Sequence, residues 1–323
     1  MVAIVESPKD FTPRSEGIIF VAESDVETDF MVDIIDAQTD EIVGSKVISG
    51  VSRAVIDIAP YVEVQAFTVP KQAHYSSLVD IPAKRYYISV QTTEDSVVSD
   101  VVKVSNNLTL PIVNSLQTVM PRVRMIGYGE CDDLRIAVEE GSSIWVDMTT
   151  DIGEVHSLDI DNCGGLAQLH IDTSDFDYLS TMIDVSIMVD DSRIAGMEYR
   201  IVPRYSGAVR LGWISSLGTT EYFTFPITLS KSVVSERKKV FMHRVQGDII
   251  SNKGFERMTL RSQALSEGVA EALATILTAP KVWIVGDETT EVEIVDNQIV
   301  TSSYNGAAVV EITVEYGGKE VVL

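Results

Sequence analysis

The stretch from residue 210 to residue 225 has the layout of a β-hairpin. Leu211 and Trp213 are two residues apart on its first arm, and Phe223 and Phe225 are two residues apart on its second. Side chains two residues apart on a strand share a face, and the serine, glycine and threonine residues between the arms favour a turn. We therefore predict that Trp213, Phe223 and Phe225 lie in the core of a sheet.

The turn of this predicted hairpin has a leucine at its tip. An apolar side chain on an exposed turn lowers solubility unless a partner covers it. We therefore predict that Ser216, Leu217 and Gly218 contact another subunit. We also expect Gly218 to adopt a positive φ, which larger residues resist.

The length and the apolar pattern predict several β domains. A chain of 323 residues is longer than one ordinary sandwich, and its valine and isoleucine content favours strands. Short apolar runs recur at the spacing typical of antiparallel sandwiches, and a polar stretch at about residues 105–121 predicts a linker. We predict two consecutive antiparallel β-sandwich (Ig-like) domains at residues 1–120 and 121–228, the second closed by the hairpin.

The last block, residues 229–323, contains a helical pattern between strand-like runs. Ser266 is a suitable N-cap, and Pro280 cannot continue a helix. The apolar positions at helical spacing between them are Val269, Leu273, Ile276 and Leu277. The sequence therefore predicts a mainly β fold that ends in a small α+β domain with one main helix packed on a sheet.

The net charge of −23 limits the partners of this chain. Acidic residues outnumber basic ones most strongly before residue 229, and an acidic surface repels phosphate backbones, so we expect no direct contact with nucleic acid. The run Arg237-Lys238-Lys239, followed by Arg244, is the place where an acidic partner could bind. No window has 18 apolar residues and Glu6 interrupts the first apolar run, so we expect neither a membrane span nor a secretory signal.

The cysteines and histidines form no recognised motif. Cys131 and Cys163 are not part of a Cys-x-x-Cys pair, and the histidines lack the spacing of common metal sites. The four histidines are His74, His156, His170 and His243. A metal cluster of His156, His170 and Cys163 is conceivable, but ordinary strand positions are the favoured interpretation, and no metal or cofactor is predicted.

Other catalytic and ligand-binding motifs are incomplete. The segment 159–170 begins like a calcium loop, but Cys163 occupies its fifth position and His170 its twelfth, where a bidentate glutamate is needed. There is no Gly-x-Ser-x-Gly elbow and no phosphate-binding glycine loop. We therefore predict that the protein is not an enzyme.

Short segments in all three blocks resemble one group of proteins. These segments are the hairpin at 210–225, the pairs Ser266-Glu267 and Ala279-Pro280, the strand-like run 282–284, and the N-terminal run 17–25. Together they resemble virion structural proteins of tailed phages that infect Bacteroidetes, crAss-like phages included.

The resemblance implies a structural and assembly protein in the connector, ring, collar or tail region of a phage particle. Such a protein would be homo-oligomeric and would contact other copies of itself and neighbouring portal, ring or tail components. Its location would be the virion, assembled in the host cytoplasm. The alternatives are a bacterial surface adhesin or carbohydrate-binding β-sandwich array, which should carry an export signal, and an enzyme whose catalytic residues are not evident.

Overall fold

The computed structural model describes residues 1–63, 69–70, 75–105, 108–203, 206–240, 248–295, 302–304 and 307–322. The fold is mainly β and contains several antiparallel sheets. The strands up to residue 117 are β1 (Val2–Glu6), β2 (Ile19–Asp36), β3 (Glu41–Asp57), β4 (Ser77–Asp80), β5 (Lys84–Gln91), β6 (Ser96–Val98), β7 (Val102–Val104) and β8 (Ser115–Gln117).

The remaining strands run to the end of the described chain. Those up to residue 225 are β9 (Val123–Gly127), β10 (Cys131–Ala137), β11 (Ile144–Thr150), β12 (Val155–Ile160), β13 (Leu166–Asp172), β14 (Met182–Val189), β15 (Ser192–Val202), β16 (Val209–Ile214) and β17 (Thr220–Phe225). Those after it are β18 (Ile227–Val240), β19 (Asp248–Arg261), β20 (Leu265–Ser266), β21 (Val282–Val285), β22 (Thr290–Ile294), β23 (Ser302–Tyr304), β24 (Ala307–Val309) and β25 (Glu311–Val322).

The first sheet combines β1, β2, β3, β5, β6 and β7. The long strands β2 and β3 pair with each other, and β-bulges interrupt their register between Glu23 and Phe30. Alternating apolar residues on β2 and β5, such as Phe20, Ile34 and Ile88, are completely buried in one core. This alternation of buried and exposed residues is typical of antiparallel strands with one face in the core and the other in solvent.

Two further sheets share a second core. One has the strand order β4-β13-β10-β8, and the other has the order β12-β11-β14-β15-β9, in which only β9 and β15 are parallel among the described pairs. Leu134 and Leu169 from the first of these sheets pack with Val146 and Ile187 from the second. β4 comes from the predicted first domain and β8 from the predicted linker. In the structure they form the two edges of the sheet β4-β13-β10-β8.

Lys103 joins the first sheet to the second core. Its ammonium group is buried, donates to the carbonyl oxygen of Gly164 at 2.9 Å and lies 2.6 Å from a carboxylate oxygen of Glu140. On the same side, the Asp80 carboxylate accepts a hydrogen bond from the Gly164 amide at 3.0 Å. The Lys103 contacts therefore join the first sheet to the second core, whereas Asp80 is on β4, which pairs with β13 inside that core.

The hairpin β16–β17 has a different position from the one predicted. β16 pairs with β21, so the hairpin is the end of a seven-stranded sheet with the order β17-β16-β21-β22-β25-β19-β18. The expectation that it closes the second sandwich was therefore wrong. Alternation along an arm shows which face is buried, but it does not show which strand forms the neighbouring edge.

The predicted helix covers this seven-stranded sheet. α1 spans Glu267–Ala274, and a 3₁₀ turn at Thr275–Thr278 continues it. Leu273 and Ile276 are buried with Trp213 and Phe225, whereas the Ser266 side chain forms no capping hydrogen bond. Shorter 3₁₀ turns lie at Arg14–Glu16 and Thr173–Asp175, and β20, β24 and β23 form a small sheet. None of the helices in the described ranges is long and apolar enough to cross a membrane.

Candidate interaction surfaces

The hairpin tip is a closed turn with its own hydrogen bonds. The Ser215 amide donates to the Thr219 carbonyl oxygen at 2.8 Å, and the Gly218 amide donates to the Ser215 carbonyl oxygen at 3.0 Å. The two hydroxyl groups of Ser215 and Thr219 are 2.7 Å apart. Gly218 has a φ of 77°, the left-handed conformation that was expected of it.

The three residues predicted as an interface differ in exposure. Ser216 is exposed, Leu217 is half-buried and Gly218 is buried. The accessible surface of the tip is therefore formed by Ser216 and part of Leu217. Contact between this tip and another subunit remains a prediction.

A buried ion network attaches the hairpin to the second core. The Arg124 guanidinium donates to Asp132 Oδ2 at 2.6 Å and to Glu221 Oε2 at 3.2 Å. The Tyr199 hydroxyl also donates to Asp132 Oδ2, at 2.8 Å. Burial raises the pKa of Glu221, although the positive charge of Arg124 opposes that shift. Removing one partner of such a buried pair leaves an uncompensated charge.

A second buried pair strengthens the same attachment. Arg210 Nη1 lies 3.0 Å from Glu130 Oε2, and Arg210 Nη2 donates to the Cys131 carbonyl oxygen at 2.5 Å. The same oxygen of Glu130 accepts from the Gly127 amide at 2.9 Å. A Cβ on Gly127 would lie 2.9 Å from the Glu130 carboxyl carbon, so this close approach requires glycine.

His170 takes part in a third contact between the hairpin and the second core. Its Nδ1 is 2.8 Å from Asp133 Oδ1, and the Tyr222 hydroxyl donates to the other oxygen of Asp133. Burial by itself would lower the pKa of His170, but the hydrogen bond and the negative charge of Asp133 outweigh it, so the pKa is raised. Through these contacts the three side chains connect β17, β10 and β13.

A cavity of about 330 Å³ lies between the second core and the helix of the last sheet. Its walls include Met120, Met125, Phe223, Leu265 and Val269, together with the paired guanidinium groups described above. The apolar wall favours an apolar occupant. The charged groups beside it are already joined to carboxylates.

The histidines and cysteines do not converge. His156 on β12 lies 3.0 Å from Glu154 and 3.6 Å from Asp175, whereas His170 on β13 pairs with Asp133 on β10. Within the described part of the chain, no three metal-ligating side chains form a group that could hold an ion. His74 and His243 lie outside the described residues.

Both thiols are poor nucleophiles at neutral pH. Burial raises the pKa of Cys131 to about 12 and that of Cys163 to about 11. The thiolate is the reactive form of cysteine, so both side chains stay protonated. Both cysteines are buried, Cys131 at the start of β10 and Cys163 between β12 and β13.

Strand β3 presents an exposed sheet edge. Among the described residues it pairs with β2 alone, and from Glu41 to Val47 its side chains are exposed or half-buried on both faces. Ile42 is 59% exposed and Val47 is 64% exposed. Long apolar edges of this kind attract further strands unless they are covered.

The buried ion network was not predicted from the sequence. Arg124 is two residues from Arg122 and Asp132 is next to Asp133, so neither stands out in the sequence, and Glu221 is 97 positions after its partner Arg124. One signal was available. Glu221 is two residues before Phe223 on the second arm, so the predicted buried face already contained a carboxylate that would need a partner.

Comparison with known proteins leaves the family of this chain open. No protein-family model matches the sequence, and no curated protein matches it. A Dpr2 Ig1-Ig2 fragment in complex with DIP-Theta Ig1-Ig3 is 12% identical, with 62% of this chain and 99% of that chain covered and a TM-score of 0.20. The chicken interferon gamma receptor alpha chain is 10% identical, with 62% of this chain and 99% of that chain covered and a TM-score of 0.20.

A third similar structure covers almost the whole chain. A tetra-tandem repeat from the extending region of a large adhesion protein is 10% identical, with 99% of this chain and 89% of that chain covered. Its TM-score is 0.25. At TM-scores this low, none of the three similarities supports a fold or a function for this protein.

Proposed function

We propose that this protein is a non-enzymatic structural protein of a tailed-phage virion, of the group infecting Bacteroidetes, and that it forms part of a ring, collar or tail assembly. It is built from two consecutive Ig-like β-sandwich domains and a smaller α+β domain that includes the hairpin β16–β17. Its partners are other copies of itself and neighbouring portal, ring or tail proteins. The sequence resemblance supports this placement.

The observation that best supports an assembly role is the uncovered edge of β3. Its exposed apolar residues Ile42, Val43 and Val47 lie on a strand whose outer hydrogen-bonding groups have no strand partner in the described ranges. A protein that works alone would normally protect such an edge with several bulges, charges or a covering element, and this edge has a bulge at Val43. Lys46 is the single basic residue between Glu41 and Gly50. A partner strand would cover this edge in the particle.

The contacts between the parts of the chain also suit a structural role. Lys103 of the first sheet donates to Gly164 of the second core, and the ion pairs of Arg124 and Arg210 join the second core to the hairpin. The side chains of Lys103, Arg124 and Arg210 are buried and hydrogen-bonded at these contacts, so loss of a partner would leave a buried charge uncompensated. These contacts would keep the interfaces on different parts of the chain at a fixed distance from each other.

Sedimentation of the purified protein over a wide concentration range tests this proposal. We expect association of the wild-type chain, and loss of association when Val47→Asp places an unpaired charge on the β3 edge. Val26→Asp is the matched control, because Val26 is 60% exposed on β2 but lies outside the β3 edge. Both variants should keep the wild-type circular dichroism spectrum.

Electron microscopy and mass spectrometry of phage particles from the corresponding host test the location. The chain should be present in the virion in multiple copies and at a ring, collar or tail position. A wild-type chain that is monomeric at every concentration and absent from particles would contradict the proposal. Binding to host-cell glycans by such a monomer would instead favour the adhesin alternative.

A further inference from the structure

The cavity between the second core and the helix α1 has the size and the lining of a small-molecule site. Its volume of about 330 Å³ lies in the range of such sites, which extends from about 300 to about 1,000 Å³. Met120 and Ile126 line it from the side of the second core, and Phe223, Leu265 and Val269 line it from the side of the hairpin and the helix. An occupant would therefore contact both parts of the chain.

One polar group in the cavity wall has an unused hydrogen-bond donor. The Arg210 side chain is 6% exposed, and its Nη1 donates to Glu130 at 3.0 Å and to Thr224 at 2.8 Å. Its Nη2 donates to the Cys131 carbonyl oxygen. The third nitrogen, Nε, is buried and has no partner among the described residues. A buried donor without an acceptor is costly, so this nitrogen calls for an acceptor from outside the chain.

The guanidinium group of Arg210 is fixed in its position. Its Cζ lies 5.0 Å from the centre of the Tyr222 ring, which is also part of the cavity wall. The Tyr222 hydroxyl in turn donates to the Asp133 carboxylate. Because the group is already ordered by these contacts, an acceptor that binds to Nε would immobilise little further side-chain freedom.

The charges beside the cavity favour an uncharged occupant. Arg124 in the wall is paired with Asp132 and Glu221, and Arg210 is paired with Glu130. Three carboxylates are therefore joined to two guanidinium groups. A carboxylate ligand would bring a further negative charge into this buried region and would find no uncompensated positive charge there. The acceptor that suits Arg210 Nε is a neutral oxygen atom.

The cavity has an entrance on the solvent side. Met125 is 55% exposed, and Gln263 Nε2 donates to its sulfur at 3.0 Å, so the two side chains meet across the walls. A thioether is a weak acceptor, and this contact can therefore open at small cost. Arg200 is the third arginine of the wall, and it is exposed and paired with Glu198 at 2.7 Å.

Water alone is a poor occupant of this cavity. An ordered buried water needs about two to four polar partners, whereas most of the cavity wall is apolar. We propose that the cavity binds an uncharged, largely apolar small molecule, such as an aromatic ketone, ester or alcohol, and that an oxygen atom of this ligand accepts a hydrogen bond from Arg210 Nε. This inference goes beyond the proposed function and does not depend on it.

Binding of the dye Prodan, an uncharged naphthalene ketone, tests the site. We expect one dye molecule to bind per chain with a dissociation constant in the micromolar range. Its emission should shift to shorter wavelength as the ring leaves water. Saturating dye should also raise the melting temperature, because a ligand that binds the folded chain stabilises it. Absence of saturable binding would overturn the proposal.

Three competitors of equal size separate the hydrogen bond from apolar contact and from charge. Naphthyl methyl ketone, isopropylnaphthalene and naphthoate, all substituted at the same ring position, have the same number of non-hydrogen atoms. The ketone should displace Prodan about tenfold better than isopropylnaphthalene, which lacks an acceptor, and about tenfold better than naphthoate, whose charge would be desolvated. Equal competition by the ketone and either of the others would overturn the assignment.

Arg210→Lys tests the nitrogen itself. This variant keeps a positive charge opposite Glu130 and removes the Nε–H, so it should lose the preference for the ketone over isopropylnaphthalene. A variant that folds and keeps the full preference would show that Arg210 Nε does not bind the ligand. If the variant does not fold, the competitor series on the wild-type chain decides.

Filling the cavity provides the matched pair of variants. Val269→Trp enlarges a side chain of the cavity wall and should abolish Prodan binding. Glu271→Trp, at an exposed position of the same helix, is the control and should bind the dye like the wild type. If Val269→Trp does not fold, Ala264→Trp at the exposed rim of the cavity gives the same test. Undiminished dye binding by a folded filled variant would overturn the proposal.

Measurement at low and high protein concentration identifies the kind of occupant. We expect Prodan to bind equally well to dilute chains and to associated chains. Release of the dye on association would show that a side chain of a partner fills the cavity, and it would overturn the small-molecule assignment. Loss of the ligand site would leave self-association unchanged, so failure of this inference is distinguishable from failure of the proposed function.

Discussion

Arg124 and Glu221 are 97 residues apart in the sequence, yet their side chains form a buried ion pair at 3.2 Å. Arg124 lies on β9 of the second core, and Glu221 lies on the hairpin strand β17 of the seven-stranded sheet. The Glu221 carboxylate also accepts hydrogen bonds from the Val119 amide and the Thr118 hydroxyl. This pair therefore fixes the hairpin on a part of the chain with which it shares no sheet.

Loss of Arg124 should destabilise the protein strongly. Arg124→Ala leaves Asp132 and Glu221 buried without their counter-charge, and we expect a loss of about 3–5 kcal/mol in the free energy of unfolding. Urea denaturation measures this loss. Arg200→Ala is the control, because its pair with Glu198 is exposed and should contribute less than about 1 kcal/mol. Equal effects of the two changes would contradict a buried role for Arg124.

The helix α1 should be needed for the stability of the last sheet. Leu273 is completely buried with Trp213 and Leu260, so Leu273→Ala should cost about 2–5 kcal/mol. Thermal denaturation followed by circular dichroism would show this loss as a lower melting temperature. Glu271→Ala on the exposed side of the same helix should change the melting temperature little. A Leu273→Ala protein as stable as the wild type would show that the helix does not cover the sheet.

The raised pKa of His170 predicts a pH-dependent stability. Because Asp133 stabilises the protonated ring in the folded state, the stabilisation is complete below the ordinary pKa of 6.5 and is lost as the pH rises through the higher folded pKa. His170→Gln should remove this part of the pH dependence. Melting temperatures measured from about pH 5.5 to about pH 8.5, a range that includes the ordinary pKa of histidine, would show the difference. Parallel curves for variant and wild type would refute this role of His170.

A substitution at the hairpin tip should affect assembly without affecting folding. Leu217 is half-buried at a turn, so Leu217→Asp should leave the fold intact. If the tip is an interface, the same change should weaken association, because the new carboxylate would be desolvated without a partner. Melting and sedimentation of the same sample give both results. Normal assembly of the Leu217→Asp protein would show that the tip is not an interface.

Gly218 provides a test of the turn that is independent of any partner. Its φ of 77° is costly for a residue with a Cβ, so Gly218→Ala should destabilise the protein by about 1 kcal/mol. Ser216→Ala at the exposed neighbouring position should have almost no effect on the melting temperature. If both changes were neutral, the turn would not depend on a left-handed glycine.

Local patterns in the sequence were sufficient to predict some elements of the fold. Alternation in the hairpin arms predicted the burial of Trp213 and Phe225, and the spacing of Leu273 and Ile276 predicted a helix with an apolar face. The positive φ of Gly218 followed from its place in a short turn. Each of these features depends on residues within a few positions of each other, so periodicity and turn chemistry suffice to predict them.

Only the tertiary structure decided how these elements combine. The sequence by itself determined that the hairpin has a buried face, but not that β16 would pair with β21, nor that β4 would join β13. Nor did it predict the buried pair of Glu221 and Arg124. Strand pairing and buried ion pairs join residues that are distant in sequence, and many pairings bury the same apolar face equally well. Their choice depends on the packing and charge compensation of the complete fold.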